Sequence, residues 1–241
     1  MNSVLENANY LCDCHDKKHF YFESTDLYRY VKNKFFKNIR VAKRKQKYKK
    51  SVRTAKTAPR GRSIDFRPKE IGLRNSFGHW EMDCVCGPTR TSLLVLSERL
   101  TRKEVILKIE NQQAQSVVNS LDKLERRLGS HFKQIFKSIT VDNGVEFSDT
   151  NGLERSLFGS EKRTAVFYCH PYRSNERGTN ERLNREVRRK LPKGTDFSKI
   201  DDFIILSVEE WVNSYPRGVL NYRTSEEVFA AELNKIGCFL Q

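Results

Sequence analysis

Carboxylates far apart in a sequence can be gathered by a fold into one metal site, and three in this chain stand where that could happen. Asp83 lies in the run HWEMDCVC, Asp142 opens the turn of VDNGVEF, and Glu176 follows HPYRSN. Mg²⁺ takes oxygen ligands, through few protein carboxylates plus water and substrate phosphates. Two such ions can activate an attacking oxygen and stabilise a leaving one in phosphoryl transfer. On residue types alone the signal is weak, because soluble domains carry spare aspartates and Asp-Asn-Gly is also an ordinary turn. The surroundings of Asp83 strengthen it. A strand with Trp80 and Val85, paired with SLLVL, should be largely buried, and an unpaired aspartate there is costly. The other reading is an exposed strand end on which Asp83 is simply solvated. Alternation puts Glu81, Asp83 and Val85 on one face and Met82 and Cys84 on the other.

The elements that must position these acids follow from hydrophobic period and turn residues. HWEMDCVC predicts a strand, Gly87-Pro88 a hairpin-like reversal, and SLLVLSERL and VILKI two further strands. In QQAQSVVNSLDKLERRLG, Val117, Leu121, Leu124 and Leu128 share a helical face, and Gly129 marks the helix end. FKSITV predicts a strand running into Asp142. Residues 148–161 read as a looser stretch. TAVFYC predicts a strand closed by His170-Pro171, and a helix is expected from about Ser174 to Lys190. Two further helical patterns cover 197–215 and 224–236. Strands, helix, strand, strand and helix in this order suggest one layered α/β core with extra helices.

The charge is concentrated elsewhere. The 241 residues carry 45 Lys and Arg against 30 Asp and Glu, a formal +15. Residues 1–80 hold 20 basic and 7 acidic residues, and Lys37–Arg62 holds 12 basic residues and no acid. Such density resists compaction without a counter-charge, which phosphate backbone supplies. Lys43, Arg44, Lys45, Lys47, Lys49 and Lys50 are the candidate DNA contacts of this run, and a solvated linker is the plain alternative. Ahead of it, ESTDLYRYVKNKFFKNI has one helical pattern with Thr25 as N-cap, and one helix cannot bury its own apolar face. No stretch reaches the length of a membrane span and the first residues lack a signal-peptide core, so a cytoplasmic, nucleoid-associated protein is expected. Cys12, Cys14, His15 and His19 are crowded, whereas structural zinc needs two ligand pairs set farther apart. Cys84 and Cys86 would be a second pair, but Cys84 belongs to the strand of Asp83.

GHWEMD, VDNGVEF and HPYRSNERGTNERLNREVRRKLPKGTDF, in that order and spacing, resemble the catalytic core of the IS-thirty family of bacterial transposases. YPRGVLNYRTSEEVF resembles that family's C-terminal segment. The family sits among DDE transposases and retroviral-like integrases. The resemblance implies an RNase H-like α/β core with a mixed five-stranded sheet and flanking helices, preceded by a basic arm. It divides the chain into a helical DNA-binding remnant at 1–36, an arm at 37–75 and the core at 76–241. It implies Asp83, Asp142 and Glu176 as catalytic residues and ligands of two Mg²⁺ ions, with Mn²⁺ as substitute. The implied reaction frees a 3′-hydroxyl at an element end and joins it to another strand. The implied partners are double-stranded DNA, terminal inverted repeats, target DNA and a second subunit on DNA, with no membrane. The family carries a fuller helix-turn-helix region ahead of the arm than is seen here. A catalytically silent DNA-binding remnant or regulator is therefore the alternative, and a nuclease indifferent to repeat sequence a third. Met82 replaces a small residue of the family pattern, and Asn175 an aromatic one.

The neighbours of Glu176 supply further candidates. Asn180 and Asn184 follow it at i+4 and i+8, placed to orient it, to touch DNA, or to be plain helix-surface polarity. Residues 173–193 hold eight basic and three acidic residues, so Arg177, Arg185, Arg188 and Arg189 are candidate DNA contacts or a solvated face. Gly178, costly early in a helix, would be justified by close packing on DNA or on the Asp83 strand. Trp80 is expected in the core. His79 is either a support for the acids or a surface residue, and His170 and Tyr172 either flank a DNA path or pack the helix start.

Overall fold

The computed structural model describes residues 60–171 and 173–238. The expected remnant, residues 37–59 of the basic run with its six named cations, Thr25, the Cys12–His19 cluster and Tyr172 lie outside the described residues. So does the Asn175 side chain.

Five strands form one mixed sheet: β1 (His79–Cys86), β2 (Ser92–Glu98), β3 (Glu104–Ile109), β4 (Ser138–Val141) and β5 (Ala165–Tyr168). Their order is β3-β2-β1-β4-β5. β1, β2 and β3 form an antiparallel meander, and β4 and β5 add in parallel beside β1. Sheet order, strand sense and flanking helices are those of an RNase H-like, integrase-type core, as expected. Four longer helices accompany it: α1 (Ala114–Leu128), α2 (Gly178–Lys190), α3 (Asp202–Asn213) and α4 (Ser225–Lys235). α1 stops at Gly129, whose φ of +55° suits glycine. α4 starts in a capping box between Thr224 and Glu227.

Alternation divides the apolar residues into two cores. Met82, Leu94 and Leu96 pack with Val117 and Leu121 of α1 and with Phe229 and Leu233 of α4. Trp80 joins them fully buried, stacked on Phe136 with its Nε1–H donating to the Ile135 carbonyl. On the other face Val85, Leu93, Val95 and Ile106 meet Val187 of α2 and Ile205, Val208 and Val212 of α3. Met82 therefore points away from the acid face, where its bulk is accommodated.

Both sheet edges are covered. At β3, Glu209 accepts from the Ile106 N–H and Asn213 from the Glu104 N–H. At β5, Tyr168 N–H donates to the Arg62 carbonyl, and on β4 Thr140 Oγ1 accepts from Arg67, in the described part of the expected arm.

The stretch 148–161 differs from its reading as loose. It contains a short helix (Thr150–Glu154), capped by Asp149 and anchored by buried Leu153 and Glu154. Arg155 there pairs with Asp122 of α1 (2.7 Å), and Ser156 Oγ donates to Glu125 (2.5 Å). The partners lie some thirty residues upstream, so local polarity in the sequence concealed them.

Candidate active site

Register brings the first two acids together. β1 and β4 run parallel with His79 opposite Ser138 and Glu81 opposite Thr140. Continued by two residues, that register sets Asp83 level with Asp142, one residue past the end of β4. Parallel neighbours at one level share a face. Asp83 accepts from the Cys84 N–H (3.0 Å) and Asp142 from the Gly144 N–H (2.8 Å).

One cation joins them. Arg177 reaches Asp83 Oδ1 at 3.1 Å and Asp142 Oδ2 at 2.8 Å, and donates to the Met82 carbonyl at 3.3 Å. Burial pushes the Asp83 carboxyl above its usual range, and the Arg177 guanidinium opposes that shift. Burial lowers the Arg177 pKa, but the two aspartates outweigh it and the net shift is upward.

Glu176 is placed differently. It lies in a 3₁₀ turn (Ser174–Arg177) ahead of α2, so the expected helix begins with a tighter turn. Its carboxylate accepts from the His170 N–H (2.9 Å) and pairs with His170 Nδ1 (2.9 Å), while His170 Nε2 meets Asp65 (3.0 Å). Those two carboxylates raise the His170 pKa through hydrogen bonds. Among the described residues, no group of three or more His, Cys, Asp or Glu side chains is gathered as a metal cluster. Asp83 and Asp142 thus come together, and Glu176 is adjacent in sequence to the arginine that joins them but turned to His170.

Behind the acids runs a buried polar row. Glu81, wholly enclosed, pairs with Arg99 (2.9 Å) and accepts from the Asn180 N–H (2.9 Å). Asn180 Nδ2 donates to the Glu81 carbonyl (3.2 Å). Asn184 Nδ2 donates to Asn180 Oδ1 (2.6 Å) and Asp83 Oδ2 (3.1 Å). This corrects the surface reading of Asn180: it is fully buried and locks α2 onto β1, so it faces no DNA here. Asn184 orients Asp83, not Glu176. Gly178 needs no close approach, since a Cβ there would meet only Arg74 at 3.8 Å.

The remaining candidates surround the acids. A cavity of about 520 Å³ opens beside Asp83, lined on the α2 side by Asn184, Arg185, Arg188 and Lys193. Arg188 donates to the Cys86 carbonyl (2.6 Å), Arg185 pairs with Glu181 (2.7 Å) and Arg189 with Glu186 (2.8 Å). His79 bonds Ser138 Oγ (2.7 Å), and burial, aided by Lys137, Arg99 and Arg67, lowers its pKa to about 4. Cys84 and Cys86 are free thiols, and burial pushes both upward, away from thiolate.

Glu146 was not singled out from the sequence. Burial raises its pKa, and the charges of Asp142 and Asp83 add to the rise, so a third carboxylate senses the pair. Its carboxylate lies where a Cβ on Gly144 would stand, so a side chain at that position would displace it from the turn. Its place in VDNGVEF was the available signal.

Comparison with known proteins fits this geometry. Over 172 residues the chain is 34% identical to a probable transposase for the insertion-like sequence element IS1161 of Streptococcus salivarius, covering 70% of this chain and 46% of that protein. Over 169 residues it is 31% identical to the transposase InsI for insertion sequence element IS30C of Escherichia coli K12, covering 70% and 42%. The chain is a transposase/integrase-core superfamily protein. It is related to several insertion-sequence transposases and spans less than half the length of these two. A bovine immunodeficiency virus integrase catalytic core aligns with a TM-score of 0.47 and 18% identity, over 67% of this chain and 99% of that one. No protein-family model matches the chain. No helix among the described residues is long and apolar enough to cross a membrane.

Proposed function

We propose that this superfamily protein is a DDE transposase of the IS-thirty family, cutting and joining DNA strands at the ends of an insertion sequence. The observation that carries this is Asp83 and Asp142 level on neighbouring parallel strands and converging on one cation. Arg177 stands in there for the divalent ions, and its single charge only halves that of two carboxylates. The donor set suits Mg²⁺ or Mn²⁺: hard oxygen ligands, one of them largely buried, with the Glu146 carboxylate close enough to feel both. Asp83, Asp142 and Glu176 would hold the ions. When bound, these would activate the attacking oxygen and stabilise the leaving one.

The chain's own residues do the rest. Asn184 and the Cys84 N–H fix Asp83, and the Gly144 N–H fixes Asp142. Arg185, Arg188 and Lys193 line the adjoining cavity and would hold backbone phosphates, positioning the scissile bond without a covalent intermediate. Partners are double-stranded DNA, the terminal inverted repeats and target DNA, with a second subunit to hold the second end. A catalytically silent DNA-binding remnant is the second reading, favoured by Glu176 being held by His170 away from the aspartates.

The test is a strand-transfer assay on labelled duplexes ending in the inverted repeats that flank the gene, with Mg²⁺ or Mn²⁺. Joined products from the wild type and none from Asp142→Asn are expected. Cleavage without joining, at any sequence, would indicate a general nuclease. Binding with no products would leave the silent remnant.

A further inference from the structure

A second cavity, of about 320 Å³, lies on the other side of α2. Arg182, Glu186 and Arg189 line it and stand roughly 180–240° round the helix from Asn180, the residue bound to the acid row. Arg74, Arg102 and Arg217 complete a set of five arginines against one carboxylate, Glu186. That carboxylate is already paired with Arg189. Among the described residues, Arg74, Arg102, Arg182 and Arg217 form no ion pair.

Such a cluster is costly unless an anion completes it. Arg74, Arg102 and Arg217 are half-buried. Burial lowers the pKa of Arg102 and of Arg217, and the carboxylates nearby, Glu81 and Glu98 at the first and Glu104 and Glu186 at the second, only partly oppose it. Their heads are nevertheless fixed. Arg102 donates to Thr179 Oγ1 (2.9 Å), and Arg217 to Ser225 Oγ (2.9 Å) and the Val212 carbonyl (2.8 Å). Arg74 and Arg102 also hold left-handed backbone, at φ of 56° and 62°, which is unfavourable for residues with a Cβ. Val212 and Val219 give the cavity an apolar wall.

Guanidiniums held in place outside any direct ion pair match phosphate oxygens, and an apolar wall beside them suits a sugar. We propose that this cavity is a second nucleic-acid contact, taking a backbone phosphate of DNA on the side of α2 opposite the acid pair. It rests on the DNA-directed reading above and adds to it a site that shares only Arg189 with the cavity beside the acids. DNA gripped on both sides of α2 would brace the helix whose N-terminal turn carries Glu176 and Arg177.

The test compares wild type, Arg74→Gln/Arg182→Gln and the single, solvent-exposed Arg182→Gln, each checked for folding by circular dichroism. Duplex affinity is measured across a salt series, and inorganic phosphate is tested by thermal shift. The double variant should bind duplex about tenfold more weakly at low salt, with a log–log salt slope shallower by about 1–2, and the single variant should fall between. Wild type should be stabilised by phosphate and the double variant should not. Unchanged affinity and slope in variants of a DNA-binding wild type would overturn this site alone. Phosphate stabilisation lost without any change in duplex binding would overturn the nucleic-acid assignment in favour of a small-anion site. A wild type that binds no duplex would sink the DNA-directed reading and this site with it.

Discussion

Two arginines in this molecule each bridge two carboxylates, and they do so in opposite ways. Arg163 joins Asp122 (2.6 Å) and Glu125 (3.1 Å) on α1 and spends its other donors on the Leu153 and Gly152 carbonyls. Its side chain is 1% exposed and its acids 7% and 3%. Arg177 joins Asp83 and Asp142, whose side chains are 26% and 38% exposed beside an open cavity. Its Nε is buried without a partner, as is Oδ1 of Asn184 next to it. A closed, satisfied bridge fastens the 148–161 stretch to α1. A half-satisfied bridge facing a cavity is one that another cation can replace. Burial and completeness of hydrogen bonding, not the ion pair itself, distinguish a fastening from a site.

Substitution at each arginine should separate the two. Arg163→Met leaves buried Glu125 without a cation and Asp122 with only the part-exposed Arg155, and should cost about 3–5 kcal/mol in urea unfolding. A loss under about 1 kcal/mol would abolish the contrast. Acid sensitivity should come from His79, whose folded pKa of about 4 lies below its ordinary 6.5. Its unfolded form gains the proton first, so stability is held above the unfolded value and falls as pH drops from about 6.5 towards 4. Between pH 7.5 and 5 the wild type should lose about 2 kcal/mol more than His79→Gln, read from unfolding curves at each pH.

Arg177→Met should remove the competing cation. Mn²⁺ binding, followed by electron paramagnetic resonance of free Mn²⁺ without DNA, should tighten about tenfold, or ~1.4 kcal/mol. Weaker binding would show that Arg177 supports the ions, not that it stands in their place. The smallest effect is expected at the exposed pair Arg185–Glu181. Arg185→Ala should change stability by no more than about 0.5 kcal/mol, checked by thermal unfolding, because solvent screens such pairs.

Much of the fold was legible because its signals are local. Period-two alternation marked β1, a short apolar run β2, Gly87-Pro88 the reversal between them, and the Val117–Leu124 stripe the buried face of α1. The acids were legible as types at strand ends. Their grouping was not legible in the residues: neither the register that levels Asp83 with Asp142 nor the bridge of Arg177 follows from element order. Asn180 gave no sign of burial, since asparagine near a basic helix start looks the same whether it faces Glu81 or water. Glu146 sat within a quoted motif, yet only packing brought its carboxylate against Gly144.

The sequence by itself determined which residues are apolar, where the chain turns, and that Asp83 lies in one strand and Asp142 at the end of another, because these depend on neighbours within a few positions. Tertiary structure decided which charges are paired, which are enclosed and which are left over. Asp122 with Arg163, Asp83 with Arg177, and the unpaired arginines behind α2 all rest on contacts between distant segments. Whether a charge is neutralised depends on what lies within a few ångströms of it in space, and the order of residues along the chain does not state that distance.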